Sequence, residues 1–140
     1  VNAIASDGTD KVLDTGSPHY IRFMDELDHL DVFTEGRKIR YNNQYREKGI
    51  NVNFVFRDND GIRVRTYERG VENETLSCGT GVTASAIAAS DGMGQQHVFI
   101  NVEGGKLEVA FNRIDEQHCN NIWLIGPATF VFSGKISLAL

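Results

Sequence analysis

The sequence predicts an α+β fold in which mostly antiparallel strands surround one central helix. Two patterns indicate this class. Most apolar runs alternate with polar residues or are rich in β-branched and aromatic side chains, as is typical of strands. One interior segment, residues 84–90, contains mostly Ala and Ser. Strands can approach such small side chains closely, so we expect this helix to be enclosed by the sheet.

The first predicted elements lie in the N-terminal third of the chain. Residues 19–23 form a short predicted strand directly after the bend at Pro18. Residues 25–41 then predict one or two short helices by their apolar spacing. The residues on the expected apolar face are Leu27, Leu30, Phe33 and Ile39.

A β-hairpin is predicted next. Val52, Phe54 and Phe56 alternate with other residues, and a second alternating run begins at Ile62. Between the runs lies the sequence Asp-Asn-Asp-Gly at residues 58–61, a typical turn composition. Two alternating runs joined by such a turn indicate an antiparallel hairpin.

The remaining elements are the central helix and four strands. We expect the helix of residues 84–90 to end at Asp91-Gly92, because glycine favours helix termination. Strands are predicted for residues 98–102, 107–111, 123–125 and 129–132.

Length and composition indicate a single globular domain over residues 1–140. Hydrophobic residues make up 41% and charged residues 24% of the chain, which argues against disorder. The net charge of -5 disfavours a nucleic-acid partner. No apolar stretch approaches the roughly 18 residues of a membrane span, and the N-terminus lacks the features of a signal peptide. We therefore expect a cytoplasmic protein that does not act at membranes.

The two cysteines differ in their surroundings. Cys78 and Cys119 are too few and too far apart for a disulfide framework or a zinc site. Cys119 lies in a polar stretch without a motif, which predicts an incidental thiol. Cys78 directly precedes Gly79-Thr80-Gly81 and the small-residue helix. Free N–H groups at a helix start favour an anion, either the Cys78 thiolate or a bound carboxylate. A buried structural thiol at this position is the alternative.

Three further polar positions are candidates for function. Glu68 ends the apolar face of the strand that begins at Ile62, so it needs a partner there or turns toward solvent. His19 follows a proline-fixed bend, where it either orients a ligand or has a structural role. Asn51 and Asn53 share one face of a strand and could reach the same polar ligand.

Five segments, in order, resemble the diaminopimelate epimerase family. They read Thr-Gly-Ser-Pro-His at residues 15–19, Ile-Asn-Val-Asn-Phe-Val at 50–55, Arg-Val-Arg-Thr-Tyr-Glu-Arg-Gly at 63–70, Glu-Thr-Leu-Ser-Cys-Gly-Thr-Gly at 74–81 and Gly-Pro-Ala at 126–128. The resemblance covers about residues 12–132. It concerns only the C-terminal half of the proteins in that family. The full-length proteins consist of two similar domains with one catalytic cysteine each.

The resemblance implies conversion of LL- to meso-diaminopimelate by two-cysteine acid/base proton transfer, a step of lysine and peptidoglycan-precursor biosynthesis. It implies no pyridoxal phosphate, other cofactor or metal. The expected partners are diaminopimelate, an N-terminal domain that this chain lacks, and a second copy in a homodimer. Because the chain has only one of the two catalytic cysteines, it is expected to be inactive alone.

The resemblance also assigns roles to the residues nearest the predicted helix. Cys78 matches the catalytic cysteine of this half. Glu68 and His19 match residues that assist its proton transfers. Gly79 and Thr80 match the backbone donors that bind the α-carboxylate of the substrate.

Contacts to the distal end of the substrate are expected from Asn51, Glu68 and Arg69. The chain departs from the family pattern at Ser17, where the family usually has the longer, amide-bearing Asn. An extra residue near Asn73 also lengthens the loop before Cys78.

Other functions remain open at the level of sequence. A racemase or isomerase of the same fold could act on another substrate, as proline racemases and phenazine-type isomerases do. Cys78 argues against the phenazine type, and Tyr-Glu-Arg-Gly at residues 67–70 favours diaminopimelate over proline. A non-catalytic binding domain is a further alternative. A thiol redox protein is disfavoured because no second cysteine lies near Cys78.

Overall fold

The computed structural model describes residue 1 and residues 4–138, and within them it has nine strands and two helices. The strands are β1 (Ile4–Asp7), β2 (Asp10–Asp14), β3 (Pro18–Phe23), β4 (Asn51–Asp58), β5 (Gly61–Glu68), β6 (Asn73–Thr75), β7 (Gly94–Val102), β8 (Gly105–Arg113) and β9 (Cys119–Ile125). The helices are α1 (Val32–Arg40) and α2 (Gly79–Ala89).

The strands form one mixed sheet in the order β1-β2-β3-β4-β5-β7-β8-β9, and β6 pairs with β5. Neighbouring strands are antiparallel except for the β3–β4 and β5–β7 pairs, which are parallel. The amide nitrogen of Cys119 donates to the carbonyl of Val1 at 3.0 Å, so the first residue lies beside the start of the last strand. The sheet thus curls into a half-barrel, and the predicted α+β class is confirmed.

Helix α2 lies inside this curled sheet. It contacts seven strands, β2 to β5 and β7 to β9. Residues 81–89 are all buried, and their mostly small side chains let the strands come close. Val55, Ile62 and Phe111 pack around the helix from the sheet. Burial of an apolar side chain of this size stabilises the fold by about 1.5–3 kcal/mol.

The opposite face of the sheet carries a second apolar cluster, against which α1 packs. Val52 and Phe54 of β4 point to this side, whereas Val55 points to α2, as strand alternation requires. Gly36 of α1 lies directly against the ring of Tyr67, where any side chain would collide.

The predicted hairpin between β4 and β5 is confirmed, with Asp58 paired to Gly61.

The two ends of α2 differ in the side chains that bond to them. Its C-terminal carbonyls accept hydrogen bonds from three cationic side chains, which are Lys11 on Ala88, Arg57 on Ala89, and Arg113 on Ile87 and Ser90. Cations at this end offset the negative pole of the helix. At the other end, Cys78 is the N-cap without a side-chain capping bond, and the first turn holds no acidic residue. The positive pole is therefore open to the site.

Several sequence-based boundaries were wrong. Helix α2 begins at Gly79 rather than at residue 84. Enclosure of residues 81–89 by the sheet outweighs the weak helix propensity of Gly81 and Thr83, whereas Gly79 and Thr80 are exposed. The last residue of α2 is Ala89, and Ser90 is already extended with φ of -92°, so Gly92 does not terminate the helix. Of residues 25–41, only Val32–Arg40 is helical, beginning where the Asp31 carboxylate accepts from the amide of Thr34 at 3.0 Å.

The expected strand at residues 129–132 is absent. Phe130, Val131 and Phe132 are 81–83% exposed and have no strand partner among residues 4–138. Aromatic and β-branched composition expresses only a local preference, and a strand also needs a neighbour for its backbone hydrogen bonds. Neither helix in the described part of the chain is long and apolar enough to cross a membrane.

Candidate functional site

The candidate site lies where the N-terminus of α2 meets three strands. His19 of β3, Asn53 of β4 and Thr66 of β5 all point toward the first turn of the helix. Cys78 precedes that turn and is half-buried, whereas His19 and Asn53 are fully buried. The site therefore has a buried polar floor beneath a more accessible sulfur atom.

Gly81 allows these side chains to meet. A Cβ atom at this position would collide with Oδ1 of Asn53. It would also lie 3.3 Å from both the Cys78 sulfur and Cε1 of His19. The requirement for glycine here comes from this close approach.

A chain of hydrogen bonds runs from the sheet to Cys78. The Thr66 hydroxyl donates to Oδ1 of Asn53 at 2.9 Å, and Nδ2 of Asn53 lies 3.0 Å from Nδ1 of His19. Nε2 of His19 is 3.0 Å from the Thr80 hydroxyl. That hydroxyl is 3.5 Å from the Cys78 sulfur, within hydrogen-bonding range for sulfur. Four residues thus connect β5 to the thiol.

The imidazole of His19 is neutral near physiological pH. Burial lowers its pKa from 6.5 to about 4. The negative charge of Asp14 opposes this shift, and the positive charge of Arg69 adds to it. Because burial dominates, His19 takes part in the chain as a ring with one proton.

The first turn of α2 can bind an anion. The first intrahelical hydrogen bond runs from the amide of Val82 to the carbonyl of Cys78 at 2.8 Å. The N–H groups of Gly79, Thr80 and Gly81 precede it and have no partner within the helix. Together with the open positive pole, they suit a carboxylate or a thiolate.

This turn is held from both sides. The Thr15 hydroxyl donates to the backbone carbonyl of Thr80 at 2.7 Å. On the other side, a Cβ atom at Gly79 would lie 3.1 Å from the Leu124 side chain of β9. A cleft of about 630 Å³ lies beside the turn, between β2 and β9. It is lined by Val1, Asp14, Thr15, Gly16, Thr83, Ile122 and Leu124.

Glu68 lies apart from the chain of hydrogen bonds that reaches Cys78. Its Oε2 atom accepts from the Thr75 hydroxyl at 2.9 Å, across the β5–β6 pair. Glu68 is only half-buried, and this bond provides the partner that its position on the strand requires.

The residues expected at the distal end of the substrate form their own group. Nδ2 of Asn51 donates to the Ser17 hydroxyl at 2.7 Å, and Oδ1 of Asn51 accepts from the backbone amide of Arg69 at 2.8 Å. Asn51 is buried, so its amide links Ser17 to Arg69. A guanidinium nitrogen of Arg69 donates to the carbonyl of Lys48 at 3.1 Å.

Sequence reasoning missed Glu72, which anchors the turn after Glu68 to α1. Its carboxylate accepts from Arg40 at 3.2 Å, from the hydroxyls of Tyr41 and Tyr67 at 3.0 Å each, and from the amide of Gly70 at 3.2 Å. Although burial opposes the shift, these bonds and the Arg40 charge lower the pKa of Glu72. The backbone φ of 57° at Glu72 is unusual for a residue other than glycine.

Thr66 and Gly81 were also missed as members of the site. One sequence feature could have indicated Thr66. Asn53 and Thr66 are small polar residues on the two strands of the predicted hairpin, and the β4–β5 register pairs them directly.

Within residue 1 and residues 4–138, no three His, Cys, Asp or Glu side chains gather closely enough to hold a metal ion.

Comparison with known proteins assigns the family. The diaminopimelate epimerase family model matches residues 11–131. The diaminopimelate epimerase of Flavobacterium psychrophilum is 52% identical over 127 residues, which cover 89% of this chain and 49% of the relative. That of Chlorobaculum tepidum is 44% identical over 131 residues, covering 90% and 49%. The chain therefore spans about half the length of these curated relatives.

Two solved structures share the fold at low sequence identity. A predicted epimerase from Pseudomonas aeruginosa superposes with a TM-score of 0.52 at 17% identity, covering 71% of this chain and 34% of that one. A phenazine biosynthesis protein of the PhzF family from Bacillus anthracis gives 0.50 at 19% identity, covering 82% and 35%. The fold is that of diaminopimelate epimerase and PhzF-like proteins. On its sequence matches, the chain belongs to the diaminopimelate epimerase family.

Proposed function

We propose that this chain is the C-terminal half of a two-domain diaminopimelate epimerase and that Cys78 is one of its two acid/base groups. The observation that carries the proposal is the position of the Cys78 sulfur, at the open N-terminus of α2 and 3.5 Å from the Thr80 hydroxyl. Relatives named diaminopimelate epimerase support the reaction, and their length supports a second domain.

The reaction removes the proton from the α-carbon and returns one to the opposite face. One cysteine, as thiolate, accepts the proton, and the thiol of the other donates. The two exchange roles when the reaction runs backwards. The carbanion formed in between needs fixed dipoles aimed at its charge. The N–H groups of Gly79 and Thr80 supply these by binding the α-carboxylate.

The remaining site residues have supporting roles in this proposal. His19 acts on Cys78 through Thr80, and Glu68 assists proton transfer from the strand end. Asn51, Glu68 and Arg69, with Ser17 in place of the usual Asn, hold the distal end of diaminopimelate. The domain of residues 1–140 forms one wall of the cleft, and closure against the second domain excludes water.

The wider setting follows from the same proposal. The enzyme works without pyridoxal phosphate in lysine and peptidoglycan-precursor biosynthesis in the cytoplasm, and a second copy in a homodimer is a further expected partner. The chain alone supplies one of the two catalytic cysteines and is inactive in isolation.

The test uses the full-length protein that carries this chain. Cys78→Ala is compared with Cys119→Ala, which removes the thiol that lies buried at the start of β9. Conversion of LL- to meso-diaminopimelate and exchange of the α-proton with D₂O are measured. We expect Cys78→Ala to lose about 10²- to 10⁴-fold in rate, while Cys119→Ala stays within a few-fold of the unmodified protein. An unchanged rate in Cys78→Ala would show that Cys78 is not an acid/base group.

The alternative of a non-catalytic binding domain is distinguished by the same protein. Calorimetric binding of diaminopimelate without turnover or α-proton exchange would favour it.

A further inference from the structure

The orientation of the Asn53 amide is determined by Tyr20. Nδ2 of Asn53 lies 3.2 Å from the carbonyl oxygen of Tyr20, and a carbonyl can only accept. The NH₂ side of the amide must therefore face Tyr20. In this orientation the Thr66 hydroxyl, 2.9 Å from Oδ1, donates to it. Reversing the amide would place two acceptor oxygens against each other.

This orientation decides what His19 does with its ring nitrogens. The same NH₂ group lies 3.0 Å from Nδ1 of His19, so Nδ1 accepts and carries no hydrogen. Burial lowers the pKa of His19 to about 4, so the ring has one proton at neutral pH. That proton is then on Nε2, which lies 3.0 Å from the Thr80 hydroxyl oxygen.

We propose that Asn53, supported by Thr66, holds His19 in the tautomer with its proton on Nε2, so that the Thr80 hydroxyl donates its hydrogen to the Cys78 sulfur. The Thr80 oxygen accepts from His19, and its single hydrogen remains for the sulfur 3.5 Å away. Donation toward sulfur stabilises the thiolate. Asn53 and Thr66 are thus positioning residues, which act through His19 and Thr80.

The opposite tautomer would reverse the direction of the chain. With the proton on Nδ1, Nε2 would accept from Thr80, and Thr80 would accept from the Cys78 thiol. His19 would then be placed to take a proton from Cys78 by way of Thr80. Asn53 prevents this by occupying Nδ1 with a donor. The importance of this direction for catalysis rests on the proposed function, whereas the tautomer is a property of the free protein.

The direct test is ¹⁵N NMR of the full-length protein labelled at histidine. Correlations between ring carbons and nitrogens show which nitrogen of His19 is protonated near neutral pH. We expect the proton on Nε2 and a bare Nδ1. A proton on Nδ1 in the unmodified protein would overturn the proposal.

Asn53→Asp tests whether Asn53 controls the tautomer. A carboxylate in place of the NH₂ group accepts from Nδ1, so a proton is expected there. Asn112→Asp is the matched control, because it makes the same change on β8, where Asn112 donates to Asn120 at 3.0 Å. Its His19 signals should be those of the unmodified protein. An Nδ1 that stays bare in Asn53→Asp contradicts control by Asn53.

Thr80→Val tests the last step and preserves the shape of the side chain. Iodoacetamide should alkylate Cys78 about three- to tenfold more slowly near neutral pH. The rate is measured by mass spectrometry of the proteolytic peptide that contains Cys78. Thr83→Val is the control, because its hydroxyl bonds to the carbonyl of Gly79 at 2.9 Å and not to the sulfur. An unchanged alkylation rate in Thr80→Val would overturn donation to Cys78. None of these measurements requires turnover, so their failure is separate from failure of the epimerase proposal.

Discussion

The hydroxyl of Thr15 donates to the backbone carbonyl of Thr80 at 2.7 Å and so ties the turn before β3 to the first turn of α2. This bond connects the segment that carries Ser17 and His19 to the helix turn that carries Thr80. Both groups of candidate site residues depend on it for their relative position.

Replacing Thr15 with Val should loosen this connection without emptying the core. We expect the free energy of unfolding to fall by about 1 kcal/mol. We also expect kcat to decrease by a larger factor than KM changes. Denaturant unfolding and steady-state kinetics of the full-length protein measure the two effects. Thr9→Val, in an exposed turn, is the control. Equal effects of the two substitutions would show that the bond to Thr80 contributes nothing.

Gly81→Ala should disrupt the site from within. The new methyl group collides with Oδ1 of Asn53, whose amide is fixed by Tyr20 and Thr66. We expect destabilisation of about 1–3 kcal/mol and loss of most epimerase activity. The control is Gly134→Ala, where the nearest side-chain atom to the added methyl group would be in Phe132, 3.9 Å away. A fully active Gly81→Ala protein would contradict the close approach between Gly81 and Asn53.

Acidification should destabilise the fold through His19. Its pKa falls from 6.5 to about 4 on folding, so between these values the unfolded chain binds a proton that the native state does not. The contribution to stability is therefore present above about pH 6.5 and is lost as the pH falls toward 4. Its size is on the order of 3 kcal/mol.

His19→Gln isolates that contribution from the carboxylates that titrate in the same range. Unfolding free energies measured from neutral to acidic pH should fall more steeply for the unmodified protein than for the variant. Parallel curves would mean that His19 titrates in the native state as it does in the unfolded chain.

Glu72→Gln should weaken the anchor between the β5–β6 turn and α1. The substitution keeps the size of the side chain but removes the charge that faces the largely buried Arg40 guanidinium. A loss of about 1–3 kcal/mol is expected. Glu47→Gln, at an exposed position, serves as the matched change and should leave the denaturation midpoint unchanged. A midpoint shift shared by both variants would assign the effect to net charge.

Sequence patterns indicated a candidate site but not all of the residues that meet there. The small residues after Cys78 correctly indicated a helix, although it starts at Gly79 and not at residue 84, and strand alternation correctly placed Val52 and Phe54 on one face. Thr66 and Gly81 could not be found in this way, because their roles depend on distances across the sheet. The φ of 57° at Glu72 leaves no mark in a local sequence pattern.

The wrong strand at residues 129–132 has a related cause. Its composition is as strand-like as that of β9, yet only β9 has a neighbour, β8, to pair with. Local preference and long-range pairing agree for β4 and β5 and disagree here. Likewise, the weak helix formers Gly81 and Thr83 are helical because the surrounding sheet encloses them.

The enclosure of α2 also limits how the site can move. A helix whose residues 81–89 are all buried, and whose last carbonyls are bonded by Lys11, Arg57 and Arg113, cannot tilt or slide without breaking its surroundings. In the proposed enzyme, Cys78 then travels with the whole half-barrel as one rigid piece. The position of the Cys78 sulfur relative to a substrate is then set by how the half-barrel as a whole is placed.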